Sequence, residues 1–225
     1  MNPHPTHLLA IDTSTSFLSL GLYHHEQIDE VYEEAGNRQS EIILPRIKRL
    51  LDTANLSLPQ LNAIVYAQGP GAFTGLRIGI GVAQGLAAAF NTPLIGIPCL
   101  DALASLMPNQ PCVLAAADAR MNELFYAWYN TQKQQRLSHY CVGRADEIRL
   151  PENYQHAVGV GNAFALTADL PVFGENRMPQ ARHYLQLALS GNYPAVDAAH
   201  AELLYVRNKI ALTAAEQAVN RVNTL

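Results

Sequence analysis

Positive charge is in short supply in this sequence. Lysine and arginine number 15 against 19 acidic residues, a formal net charge of -4 over 225 residues. A chain that grips nucleic acid unaided carries a basic face. Here the cations are scattered and outnumbered, so contact with RNA would need a partner's charge. Cysteine is scarce as well. Cys99, Cys112 and Cys141 are odd in number and far apart, which argues against a disulfide framework or a CxxC metal site and fits buried thiols in a reducing, cytoplasmic setting. No apolar run reaches the roughly 18 residues of a membrane span. The opening MNPHPTHLLAIDTSTS has no basic region ahead of its apolar residues, unlike a secretory leader. Histidines 4, 7, 24, 25, 139, 156, 183 and 200 form no HxxxH or HExxH pair. No GxSxG elbow occurs either. His4 and His7 fall in an expected tail, where they would hold no metal.

What remains is an α/β pattern. Leu8–Asp12 reads as a buried strand ending in the polar turn Asp12-Thr13-Ser14-Thr15-Ser16, with strands at Leu18–Tyr23 and Gln27–Glu33. Ile43, Leu44, Ile47, Leu50, Leu51 and Ala54 recur at helical spacing over Ser40–Asn55, where Pro45 must lie in the first turn or bend the helix. A strand at Ala63–Ala67 leads through a glycine-rich turn, 69–75, into a helix over Gly75–Phe90. A strand at Pro93–Ile97 and a helix near Leu100–Leu106 follow. Then the order repeats. Sliding Leu8–Tyr23 onto Leu114–Tyr129 without gaps pairs Leu8 with Leu114, Ala10 with Ala116, Asp12 with Asp118, Leu18 with Leu124 and Tyr23 with Tyr129. A third strand (Arg136–Val142), a helix, a strand (Ala157–Val160) and a glycine turn complete the second round. The expectation is two duplicated βββαβα lobes: residues 1–100, completed by part of the C-terminal segment; residues 101–205; and a tail or helix over 206–225. Met178–Leu225 reads as mostly helical, interrupted near Asn192–Asp197.

Three turns are candidate sites. Asp12 at a strand end, followed by Thr13 and Ser14, suits a phosphate or its magnesium ion, and equally suits a plain turn. Asp118 occupies the matching turn of the second lobe, followed by bulkier residues. Gly159 and Gly161 form a GxG that would admit a base or ribose, a weak signal by itself. The 69–75 turn resembles a phosphate cradle at a helix N-terminus, but Arg77 and Ile78 stand where a Walker A motif needs lysine and a hydroxyl residue. A tight turn into a closely packed helix accounts for it better.

The Gly75–Phe90 helix is the more telling feature. Gly75, Gly79, Ala83 and Ala87 line one ridge, and Gly81, Gly85 and Ala89 another. Glycine costs a helix about 1 kcal/mol relative to alanine, and close approach of a neighbouring backbone can offset it. Arg77 and Gln84 are the helix's polar residues. A helix so apolar needs cover on most sides. Together with Ile43, Ile47 and Leu50 of the preceding helix, the first ridge is the expected partner interface, as half of a four-helix contact.

IDTST at the first strand end, QGPGAFTGLRIGIGVAQGLA, PLIGIPCLDALA, AAADARMNELFYAWY and AELLYVRN, in order from Leu8 to Asn208, resemble the TsaB (YeaZ) family. The resemblance implies the two-lobed actin-like ATPase (ASKHA, ribonuclease H-like) fold. It also implies the role of a non-catalytic subunit in bacterial tRNA N6-threonylcarbamoyladenosine synthesis, dimerising with a TsaD-type transferase that acts on adenosine 37. A TsaE-type ATPase would join the complex, tRNA would be met through the complex alone, and ATP or ADP would bind weakly, at the level of the complex. No resident cofactor or metal is implied. The transferase carries an HxxxH metal pair after its matching strand; here Cys99 and Leu103 stand in those places. Two rival readings remain open: a phosphotransferase or metalloprotease on the same fold, and a homodimer through the same helices.

Overall fold

The strands and helices form where apolar residues alternate at periods of two and of three to four, and a computed structural model describes residues 7–206. Three strands, β1 (His7–Asp12), β2 (Phe17–His24) and β3 (Gln27–Glu34), form an antiparallel meander. Then come α1 (Gln39–Thr53), β4 (Ala63–Gly69), α2 (Phe73–Ala88), β5 (Leu94–Pro98) and the short α3 (Cys99–Ala104). The second round runs β6 (Val113–Arg120), β7 (Glu123–Asn130), β8 (Gln135–Arg136), β9 (Cys141–Gly143), β10 (Val158–Val160) and β11 (Gly174–Glu175). The described chain closes with α4 (Ala181–Leu189) and β12 (Ala195–Val196).

The first sheet has the order β12-β5-β4-β1-β2-β3, and the second β11-β10-β6-β7-β8 with β9 also on β7. In the first, β1, β4 and β5 run parallel, an arrangement that needs cover on both faces. Alternation along β1 supplies both. Leu9 and Ile11 join Ile64, Tyr66 and Leu94 under α1 and α2. Leu8 and Ala10 join Val65 and Ile97 under α4, whose Ala181, Tyr184 and Leu185 are buried there. Gly21 of β2 allows α4 to sit close, since a Cβ on it would lie 2.9 Å from the Leu185 side chain. The duplicated strands fall where the overlay put them, β1 and β2 over β6 and β7.

The second lobe departs from the expected unit. Its third strand is two short pieces, β8 and β9, because the Ser138 hydroxyl takes the Trp128 N–H that a continuous ladder would use. Its first helix shrinks to a 3₁₀ turn, Ala145–Glu147. The C-terminal segment is less helical than expected. After α4 the chain forms β12, turns at 198–200 and continues to Val206 without further helix or strand. β12 pairs with β5 and α4 packs on β1 and β2, so residues 181–196 join the first sheet. Pro45 sits in the second turn of α1, on its exposed side, where water can meet the carbonyl that its missing N–H leaves unpaired. His4, Arg207 and Asn208, and the expected tail or helix after Val206, lie outside the described residues, as does the helical reading there. Among the described residues no helix is long and apolar enough to cross a membrane.

Candidate functional site

Between the lobes lies a cleft of about 560 Å³, lined by Ser14, Gly71, Cys99, Asp118, Asn162 and Tyr184 among others. The Asp12 turn forms its first-lobe wall. The Asp12 carboxyl accepts the Ser14 N–H at 2.8 Å, and Asp12, Thr13 and Ser14 are all buried. The Thr13 hydroxyl donates to the Gly75 carbonyl at 2.7 Å, and the Ala72 N–H donates to the Ser14 carbonyl. So the 69–75 turn packs onto the Asp12 turn. A Cβ on Gly75 would lie 2.0 Å from the Thr13 carbonyl oxygen, and one on Gly71 would lie 2.9 Å from Ser14. Gln39, which no pattern in the sequence singles out, locks the same turn by donating to the Thr15 and Phe17 carbonyls at 2.8 and 2.9 Å.

Burial shapes the chemistry of this wall. It raises the Asp12 carboxyl above the ordinary aspartate range, against hydrogen bonds from Ser14 that favour the ion. It also pushes the Cys99 thiol up to about 12, helped by the charge of Asp12. The Tyr184 hydroxyl lies beside both groups without a hydrogen-bond partner of good geometry. Tyr184 is a second residue that sequence reasoning missed; a tyrosine in an amphipathic helix gives no signal of a site 172 positions away.

Across the cleft Asp118 keeps its carboxylate for its own hairpin. It accepts the Arg120 N–H at 2.7 Å and faces the Arg120 guanidinium at 3.4 Å. Arg120, Met121 and Asn122 all have left-handed backbones, and Met121 projects into solvent. The GxG turn does not offer an open face for a base. A Cβ on Gly159 or Gly174 would meet the Phe164 ring, at 2.0 and 2.5 Å, so that ring fills the space beside both glycines. Gly161, at φ 135°, lies so close to the Ala116 carbonyl that a Cβ would come within 1.8 Å. Both glycines have packing reasons of their own.

The helix face also needs correction. Ile43, Ile47, Leu50, Gly75, Gly79, Ala83 and Ala87, expected to meet a partner, are buried within the chain. Gly79 allows the Thr13 side chain to approach, a Cβ there lying 2.4 Å from Thr13 Oγ1. The small ridge serves close packing, as its glycines required, but against the lobe's own first turn. The other ridge is the open one. Among the described residues nothing lies within 4 Å of a Cβ position on Gly81 or Gly85. Phe90 just beyond α2 and Leu44 on α1 are exposed at 46 and 51%, and Phe73, in the first turn of α2 and lining the cleft, at 57%. The Arg77 guanidinium lies over the Phe73 ring at 3.4 Å, and Phe73 meets Tyr205. Gln84 of α2 donates to the Ala198 and Ala201 carbonyls and ties the C-terminal run to the helix.

Comparison with known proteins agrees with this architecture. The family described as "TsaD: tRNA N6-adenosine threonylcarbamoyltransferase" matches residues 26–152. The tRNA threonylcarbamoyladenosine biosynthesis protein TsaB of Escherichia coli is 34% identical, over 91% of this chain and 96% of its own length. Its namesake in Haemophilus influenzae is 30% identical, over 90% of this chain and 94% of its own. A solved structure of YeaZ from Pseudomonas aeruginosa superposes with a TM-score of 0.80 at 31% identity, covering 89% of this chain and all of its own.

Proposed function

This chain belongs to the TsaB family and has an actin-like ATPase fold, and we propose that within tRNA threonylcarbamoyladenosine biosynthesis it is the non-catalytic partner of a TsaD-type transferase, docking through the outer face of α1 and α2. The open glycine ridge carries this reading. Gly81 and Gly85 weaken the outer face of α2 with nothing among the described residues to compensate, and Ile78 and Val82, three positions before each, stay only partly buried. A facing helix would approach that ridge closely and cover the partly exposed apolar side chains beside it. A second copy of this chain would use the same face in the transferase's absence.

The non-catalytic part rests on the cleft. Cys99 and Leu103, in the places of the transferase's metal ligands, are buried among apolar neighbours. Leucine has no lone pair to offer a metal. Asp12 and Asp118 spend their carboxylates on their own turns, so ATP or ADP would bind weakly and at the level of the complex. The surplus of acidic residues leaves tRNA to the assembled complex, where a TsaE-type ATPase would also join, in the cytoplasm.

Reconstitution tests the whole reading. The transferase, the ATPase and the synthase that makes the threonylcarbamoyl-adenylate are combined with tRNA, with and without this chain. Modified adenosine should form at a useful rate only with it, and size-exclusion chromatography should show a stable complex with the transferase. Equal rates in its absence, or no complex, would overturn the proposal.

A further inference from the structure

Asp101 stands at the join between the lobes. It lies on α3, whose two faces serve different cores. Cys99 and Ala102 pack with the first sheet and α4, while Leu100, Leu103 and Ala104 pack with β6 and β7. Three tyrosine hydroxyls from three separate segments converge on its carboxylate. Tyr129 of β7 and Tyr140, just before β9, donate to Oδ1, each at 2.7 Å. Tyr193, between α4 and β12, donates to Oδ2 at 2.9 Å. The first two belong to the second lobe. Tyr193 belongs to the segment that completes the first sheet. Arg136 lies over the Tyr140 ring at 3.9 Å and holds that side chain in place.

We propose that Asp101 is an interlobe clasp: by taking hydroxyls from both lobes at once it fixes their relative orientation, so that the cleft keeps one width and the chain presents one preset shape. Apolar contact across α3 joins the lobes but tolerates sliding, because it has no directional preference. Hydrogen bonds to a carboxylate are short and angle-dependent. Three of them, anchored on strands or beside them, leave little freedom for a hinge. Tyr129 is also buried, so opening the joint would strand its hydroxyl without water to replace the carboxylate.

The test is a distance measurement across the joint in the full chain. In a Cys141→Ser background, spin labels go on Lys48→Cys in α1 and Gln135→Cys in β8, both exposed; Cys99 and Cys112 are buried. Pulsed dipolar spectroscopy should give one narrow distance. Asp101→Asn and Tyr193→Phe should each broaden or shift it while circular dichroism stays native, and Tyr23→Phe on β2 should not. If Asp101→Asn does not fold, Tyr193→Phe decides alone, since it removes one hydroxyl and no packing. Folded clasp variants with the native distribution, or a parent chain that already shows two distances, would overturn the proposal.

Discussion

Alanine at the α2 glycines should give opposite results on the two sides of that helix. At Gly81 and Gly85 a Cβ enters open space, so each substitution should gain the helix-propensity difference of about 1 kcal/mol. Together they should add about 2 kcal/mol, or roughly 4–8 °C of Tm for a chain of this size. Gly75→Ala should do the reverse. Its Cβ would sit 2.0 Å from the Thr13 carbonyl oxygen, so backbone must move, at about 1–3 kcal/mol, and the Thr13–Gly75 hydrogen bond moves with it. Thermal unfolding by circular dichroism reads both signs. Affinity for the transferase, by calorimetry, reads the functional half. The Gly81→Ala, Gly85→Ala double variant should bind about tenfold or more weaker despite its greater stability, as 1.4 kcal/mol of lost fit is a factor of ten. Gly81→Trp should abolish the complex without unfolding the lobe. Wild-type affinity in both variants would refute the docking face, and wild-type stability in Gly75→Ala would refute the close approach of α2 to the Asp12 turn.

Other consequences are as direct. Asp12→Asn should raise Tm at neutral pH: burial holds this carboxyl above its ordinary 3.8, so its stabilising contribution is present below that value and is lost as pH climbs through the raised one. The variant's advantage should therefore vanish toward pH 4. Tyr129, Tyr140 and Tyr193 are raised by burial first and by the Asp101 charge next, with Arg136 opposing. Their contribution is full below the ordinary tyrosine value of about 10 and is lost above it. The urea midpoint should fall more steeply above pH 10 in the parent chain than in Asp101→Asn, where no carboxylate repels the phenolate. Ellman's reagent should react quickly with Cys141 alone in the native state, because Cys99 and Cys112 are buried and their thiols pushed up to about 12 and about 11. All three should react in urea.

The strand frame was legible because its signals are local. Both copies of the strand–Asp–turn–strand unit run in the register of the gapless overlay, β1 and β6 starting at His7 and Val113 and β2 and β7 at Phe17 and Glu123, since alternation and a turn residue fix a hairpin within about a dozen positions. The break in the second lobe's third strand was not legible in the same way. Its segment reads as one strand, but Ser138–Tyr140 leaves the ladder because Ser138 and Tyr140 find partners in Trp128 and Asp101, and Asp101 lies 39 positions from Tyr140. The clasp and the Asp12–Gln39–Tyr184 surroundings belong to the same class. Each depends on residues brought together by the finished fold, and no window of sequence contains them.

The α2 helix shows where periodicity stops being informative. Spacing sorts its residues correctly into two small-residue ridges, but it cannot say which ridge meets the sheet. Both contain glycine, and both would allow a backbone to approach. Three-dimensional contact decides. Gly75 and Gly79 are needed because Thr13 is there, which accounts for those two glycines without any partner. Gly81 and Gly85 have no such neighbour among the described residues. A glycine with an internal reason says nothing about association, so the exposed ridge, and not the buried one, is the face proposed for docking.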